Sequence, residues 1–324
     1  MDLKEICLPI QREVEELERF LTDNLISRVP FVQSVAAYVI QNGGKRLRPI
    51  LTVLSAKLAG YKGSAAVPLG TAVEYMHTAS LLHDDVIDNA QLRRGRASIN
   101  NKWGNHVSVL VGDFFYCRAM DLLVKSGDLR ILKVLTDVMT TTTEGEIFEI
   151  TKSNDLATTE QDHLQIVTSK TAVLMAGACQ VGAILGNVSE EFEHALRKFG
   201  LNLGIAFQLQ DDILDYIATE EEFGKKHGTD LNEGKLTLPL ILALRKSSEE
   251  ELRIIKDALI ADTIDQAVFS RILAIINRYD GIRETTQIAK SYINKAKDNL
   301  NLFRPSLERD TLLSIADYVV LRKN

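Results

Sequence analysis

Cysteine and proline are both scarce in this chain, and so is any long apolar run. Three cysteines in 324 residues, Cys7, Cys117 and Cys179, are too few and too widely spaced for a disulfide framework or a zinc site. Reduced thiols are expected instead. The most apolar windows, 174–186 and 236–244, fall short of the ~20 residues that a membrane span needs, so no transmembrane segment is expected. Met1-Asp2-Leu3-Lys4-Glu5 is not a basic stretch leading into an apolar one, so no secretory signal is expected and the location is read as cytoplasmic. An excess of positive charge is missing too. The net charge of −6 argues against nucleic acid as a partner, and any basic clusters must be local.

What the chain has is helical periodicity. Leu17, Phe20, Leu21 and Leu25 recur at the spacing of an amphipathic helix, as do Ile272, Ile275, Ile276 and Tyr279. No alternating strand and no Asn-Gly or Asp-Gly hairpin signal stands out. Of only six prolines, Pro30, Pro49, Pro68 and Pro239 lie near expected helix starts, where a missing amide donor costs little. Breaks are expected at 42–44, 60–64, 92–98, 126–128, 153–159 and 220–234, the last a plausible lid carrying Lys225 and Lys226. The expectation is an all-α fold, one domain over residues 1–324, with roughly a dozen helices.

Two apolar helical stretches end in the same acidic pattern. Asp84-Asp85-Val86-Ile87-Asp88 follows Ala79–His83, and Asp211-Asp212-Ile213-Leu214-Asp215 follows Ile205–Gln210. Aspartate is a mediocre helix former and is costly beside buried surface unless paired or holding a metal. At i and i+4, Asp84 and Asp88 share a helix face, and so do Asp211 and Asp215. Two carboxylates ~4 Å apart repel by about 1 kcal/mol in water and about 4 kcal/mol at an effective dielectric near 20. Six facing one cavity would need divalent cations. No histidine or cysteine accompanies them in a zinc-like pattern, and the glycine turn and terminal glutamate of an EF-hand are absent. Magnesium fits best, since it is usually held by one or two carboxylates plus substrate phosphates.

The basic residues are the complement. Gly43-Gly44-Lys45-Arg46-Leu47-Arg48-Pro49 joins glycine to three cations, and Arg93-Arg94-Gly95-Arg96 comes just after the first acidic motif. Lys170-Thr171 lies in a helical stretch, and Lys225, Lys226 and Lys235 follow the second motif. A basic run is most often a solvated face. Beside acidic motifs in an acidic protein, it suggests a polyphosphate held partly by metal and partly directly by arginine and lysine. There is no P-loop, no Gly-X-Ser-X-Gly and no nucleophile–base pair. His77, two turns before Asp84, reads equally as a core histidine or as a ligand.

These residues resemble the trans-isoprenyl diphosphate synthases of the polyprenyl synthetase family over essentially the full length. The matching blocks are 43–49, 82–88 with Arg93-Arg94-Gly95, Gly112-Asp113, Lys170-Thr171, 207–215 and 224–239. The resemblance implies helices around a central cavity and a head-to-tail condensation of isopentenyl diphosphate onto an allylic diphosphate, farnesyl or geranyl. It implies that Asp84, Asp88 and Asp211 ligate magnesium, three ions per site with substrate bound, and that Asp85, Asp212 and Asp215 complete the shell around them. It assigns Arg93, Lys170, Lys225 and Lys235, with Thr171 and Gln208 nearby, to the allylic diphosphate. Lys45, Arg48, His77 and Arg94 are assigned to isopentenyl diphosphate. The departing diphosphate then serves as the base, which accounts for the missing side-chain base. Family members are usually homodimers.

Two departures from the family pattern stand out. Glu149 replaces a frequent glutamine, and Ala97 replaces a frequent proline. In this family the residues four and five before the first aspartate form the near floor of a hydrocarbon tunnel. Ser80 and Ala79 are both small, and Met76 lies one turn further from the metals. The resemblance therefore implies a long-chain product near octaprenyl; the floor itself is expected to be Met120, Leu123 or another bulky residue on a facing helix. The alternatives are a shorter geranylgeranyl or farnesyl product, a non-catalytic regulatory subunit on the same fold, and a terpene cyclase, which lacks the Gly-Gly-Lys-Arg loop and a second motif of this type.

Overall fold

The computed structural model of the chain describes residues 2–217, 228–261 and 264–322. It is 79% helical, as the periodicity and the few prolines predict. The chain forms two compact units, one of residues 1–139, 174–200 and 297–318 and the other of residues 140–173, 201–296 and 319–324. Each is built from chain segments that are distant in sequence.

The helix Ala66–Ile87 is the axis of the first unit. It buries Val67, Leu69, Ala72, Val73, Tyr75, Met76, Ala79 and Leu82, on nearly every side of its circumference. A helix apolar all round must lie inside its domain, and this one packs along Asn105–Ser126 and against Leu47–Leu58. Tyr75 packs edge-on to Phe115 with ring centroids 5.4 Å apart, and its hydroxyl donates to the Leu21 carbonyl at 2.6 Å. Gly112 explains its own presence: a Cβ there would lie 2.3 Å from the His83 ring, which donates to the Val109 carbonyl at 3.1 Å.

The second unit holds two apolar clusters. One gathers Leu240, Ile255, Ile272 and Ile276 from the helices Leu238–Leu244, Glu249–Ile260 and Gln266–Arg278, with Tyr216 stacked on Phe269. The other joins Val167 and Ala172 to Ile205, Leu209, Leu238 and Ala289. The break expected at 153–159 ends in a capping box. The Thr159 hydroxyl accepts the Asp162 amide, and Asp162 in turn accepts the Thr159 amide. The helix Glu160–Val167 then widens into a π-turn at Thr168–Ala172 before the chain continues as Val173–Leu185. Such turns are often found at functional sites.

Two details differ from the sequence reading. Among the described residues there is one hairpin, Leu92–Arg93 paired with Arg96–Ala97. Its central residues Arg94 and Gly95 both take positive φ, +54° and +75°, the turn that suits the twist of paired strands. Arginine fills a place usually taken by asparagine or aspartate, and two-residue strands leave no alternating pattern to read. The run Glu160–Leu185 is long and apolar enough to cross a membrane by length and composition, yet 72% of its apolar window is buried within the fold. It is the pattern of a core helix.

Gly204 sets the spacing beside the π-turn, because a Cβ there would fall 2.5 Å from the Ala172 Cα. Gly204→Ala gains about 1 kcal/mol of helix propensity but overpacks against backbone at a cost of about 3 kcal/mol. A net loss of about 2 kcal/mol in denaturant unfolding is expected. Wild-type stability would contradict the close approach.

Candidate functional site

In the first unit, the acidic motif sits where the helix Ala66–Ile87 runs out. Asp88 is its C-cap and donates its amide to the Asp84 carbonyl at 2.8 Å. Asp84 and Asp88 are half-buried, whereas Asp85 is 2% exposed. One residue further along a helix turns a side chain ~100°, so Asp85 points inward while its neighbours do not. There it accepts Arg93 Nε at 2.8 Å and Nη2 at 2.5 Å, which ties the hairpin back to the helix end. Asn100 donates to the Asp85 carbonyl at 2.9 Å from the other side.

The basic loop divides its three cations, and Lys45 Nζ lies 5.7 Å from the centre of the Tyr318 ring. Arg46, in a left-handed conformation at φ +49°, turns inward and pairs with Glu18 at 2.8 Å and buried Glu74 at 3.0 Å, and donates to the Ile40 carbonyl at 2.9 Å. It is a structural arginine. Arg48 donates to His77 Nε2 at 3.1 Å. Guanidinium has no acceptor, so His77 must present a bare ring nitrogen. Burial, and then the charges of Arg48, Arg94, Arg93 and Arg46, hold the His77 pKa well below 6.5. Gly44 makes room for Arg94, since a Cβ there would be 2.7 Å from its guanidinium. Gly43, His77, Asp85, Arg93 and Arg94 line one pocket together with Arg46 and Glu74.

Of the chain-length candidates, Met76 and Ala79 are fully buried, and Ser80 is half-buried with its hydroxyl donating to the His77 carbonyl at 2.9 Å. On the facing helix Leu123 is buried, while Met120 is 36% exposed.

In the second unit, the part of the helix Glu190–Ile217 from residue 201 onward carries the other motif with a different division of labour. Asp211 keeps its side chain 31% exposed and pairs with Arg322 at 2.6 Å. The same guanidinium lies 3.7 Å over the Phe207 ring and donates to the Phe207 carbonyl at 2.9 Å. Asp212 is 2% exposed and accepts His163 Nε2 at 2.9 Å and Gln208 Nε2 at 3.0 Å. Gln208 in turn accepts the Thr171 hydroxyl at 2.8 Å. Asp215 is buried and receives the amides of Thr229 and Asp230, both at 3.2 Å. It anchors the short helix Thr229–Asn232.

The π-turn lysine is held by acid. Lys170 Nζ lies 2.8 Å from Glu146 and 2.5 Å from Glu149, the residue that departs from the family's glutamine. Lys235 pairs with Glu233 at 2.7 Å and reaches 4.0 Å from the same Glu149 carboxylate. Burial, then Asp215 and Asp212, pushes the Asp230 carboxyl well above the carboxylate range. Glu149, Lys170, Gln208, Asp212, Asp230 and Lys235 line a common pocket with His163. Lys225 and Lys226 lie outside the described residues. Sequence reasoning passed over Glu74, His163 and Arg322. Glu74 alone carried a signal, a lone acid within an apolar helix.

The donors fit a hard cation. Asp84, Asp88 and Asp211 offer oxygen only. That suits an ion whose shell is completed by water and phosphate oxygens.

Comparisons with known proteins agree with this chemistry. The family model for polyprenyl synthetase matches residues 29–276. An octaprenyl diphosphate synthase of Haemophilus influenzae is 38% identical over 100% of this chain and 98% of its own length. One from Escherichia coli is 36% identical over 99% of both. Among solved structures, a polyprenyl synthase of Caulobacter crescentus complexed with calcium and isoprenyl diphosphate superposes with a TM-score of 0.96 at 38% identity, covering 100% of this chain and 98% of that one. A decaprenyl diphosphate synthase of Rhodobacter capsulatus gives 0.94 at 35%, covering 100% of both.

The His77 ring sets a pH dependence. With the folded pKa depressed, the unfolded chain binds the extra proton, so this contribution to stability is intact above pH 6.5 and is lost as pH falls from there toward the folded value. His77→Gln is expected to lose less stability than wild type between pH 7 and about pH 5.5 in denaturant titrations. Parallel losses would show that His77 is not held neutral.

Proposed function

The chain belongs to the polyprenyl synthetase family, and on that premise we propose that it extends an allylic diphosphate with isopentenyl diphosphate, head to tail, to an all-trans product near octaprenyl. It is a prenyltransferase of isoprenoid biosynthesis. The observation that carries the reading is the pairing of two Asp-Asp-X-X-Asp motifs with clustered arginines and lysines, in a chain that matches octaprenyl diphosphate synthases along its whole length.

The cofactor is a divalent cation, and we assign it as magnesium, three ions per site, held by Asp84, Asp88 and Asp211. When bound, it neutralises diphosphate oxygens as a Lewis acid, which makes diphosphate a competent leaving group. The protein's own groups do the rest. Lys170, Lys225, Lys235 and Arg93 grip the allylic diphosphate, and Thr171 and Gln208 orient it. Lys170 leaves Glu146 and Glu149 partly for the incoming phosphate oxygens. Asp85, Asp212 and Asp215 hold the surrounding frame through their internal bonds.

Isopentenyl diphosphate lies against Lys45, Arg48, Arg94 and neutral His77. Arg48 already donates to His77, so a fixed donor fork is present before substrate arrives. Ionisation breaks the allylic carbon–oxygen bond and leaves a carbocation, which the isopentenyl double bond attacks. The departing diphosphate then removes the proton. An apolar wall keeps water from the cation.

Small Ala79 and Ser80 above Met76 favour the long product over geranylgeranyl or farnesyl diphosphate. Two intact aspartate motifs favour an enzyme over a non-catalytic regulatory subunit. We further assign a homodimer in the cytoplasm. Leu110 and Val124, 67% and 66% exposed on the helix Asn105–Ser126, offer an apolar face for a second copy.

Incubation with farnesyl diphosphate, isopentenyl diphosphate and magnesium, followed by sizing of the dephosphorylated products, tests the reaction and the length together. Products near forty carbons are expected; none longer than farnesol would sink the reading. Ala79→Tyr is expected to shorten the mixture, and an unshifted distribution would remove the tunnel assignment. Asp84→Ala is expected to lower turnover by about 10²-fold or more with helical circular dichroism unchanged, in line with loss of electrostatic stabilisation of the leaving charge. Undiminished magnesium-dependent turnover would take Asp84 out of the site.

A further inference from the structure

We propose that His163 is a positioning residue for the second aspartate motif: its imidazole fixes Asp212, and through Asp212 and Gln208 it sets where Asp211 stands relative to Lys170. This rests on reading the site as one that binds metal-bound diphosphate.

Asp212 is the middle residue of a motif whose chemistry calls for exposed oxygen, yet it is 2% exposed and both its oxygens are engaged inside the protein. Its task is therefore internal. His163 donates to one oxygen from the helix Glu160–Val167, and Gln208 donates to the other from one turn earlier on Asp212's own helix. Gln208 also accepts the hydroxyl of Thr171, the neighbour of Lys170 in the π-turn. Four side chains thus join the segment bearing Lys170 to the segment bearing Asp211.

A hydrogen bond to a charged acceptor is about twice as strong as a neutral one, and burial makes its loss costly. Imidazole is also rigid, with a donor at a fixed reach from the backbone. The histidine lines the same pocket as Lys170, Gln208 and Lys235, and its side-chain hydrogen bond goes to Asp212, so its influence passes through Asp212. Removing an outer-shell partner that orients a metal site typically costs 10- to 100-fold in metal affinity or activity.

Two isosteres separate positioning from simple packing. In His163→Gln, the amide nitrogen lies as many bonds from Cβ as Nε2 does and can reach Asp212. In His163→Asn it falls one atom short. The measurements on the full chain are calorimetric binding of magnesium with inorganic pyrophosphate, kcat and KM for farnesyl diphosphate, and thermal melting.

Asn is expected to weaken magnesium–pyrophosphate binding and to lower kcat/KM by about 10- to 100-fold. Gln is expected to return both to within about threefold of wild type, with the two variants melting within a few degrees of one another. Asn behaving as wild type, or Gln failing as badly as Asn, overturns the proposal. So do losses that track melting temperature rather than donor reach, because His163 would then be only a strut. A wild-type chain that neither binds magnesium–pyrophosphate nor elongates farnesyl diphosphate would overturn the reading of the site itself, and this proposal with it.

Discussion

A carboxylate buried at the end of an apolar helix must have a partner, and the architecture around both acidic motifs follows from that requirement. Each motif places aspartates on a helix whose other faces are core, so at least one of them turns inward. Asp85 finds Arg93, Asp212 finds His163 and Gln208, and Asp215 finds two backbone amides. Breaking such a pair by removing one partner strands a buried charge, which is far more costly than losing a surface ion pair. The inward aspartates fix the geometry, while Asp84, Asp88 and Asp211 stay only half-buried.

The same rule sorts the basic residues. Arg46 is spent on Glu18 and Glu74, which locks the glycine loop to the helices beside it. Arg48, Arg94 and the Asp85-paired Arg93 stand near a histidine that its burial and their charge keep neutral. In the second unit Lys170 and Lys235 are held in place by glutamates. Glu149 sharpens this: where the family often carries a neutral amide, this chain places a charge between the two lysines.

Much of this was legible in the one-dimensional pattern. Helical spacing, few prolines and the absence of strand alternation gave the all-α class, and two Asp-Asp-X-X-Asp runs with nearby cations gave a metal and polyphosphate chemistry. The hairpin at 92–97 escaped because its turn uses Arg94-Gly95 and its strands are two residues long. His163 and Arg322 escaped for a stronger reason. Each meets its aspartate across 49 and 111 residues of chain, and no local spacing records such a meeting.

The sequence by itself determined which residue types are present and how they repeat along a helix, because propensity and periodicity act over a few residues. Hence the fold class, the two acidic ends, the basic loops and the small side chains of Ala79 and Ser80 could be read directly. Which aspartate faces inward, which arginine is structural, and that Lys170 is held between two glutamates were decided only by tertiary structure. Those outcomes depend on burial and on partners brought together by packing, and a buried charge takes its role from the groups the fold sets beside it.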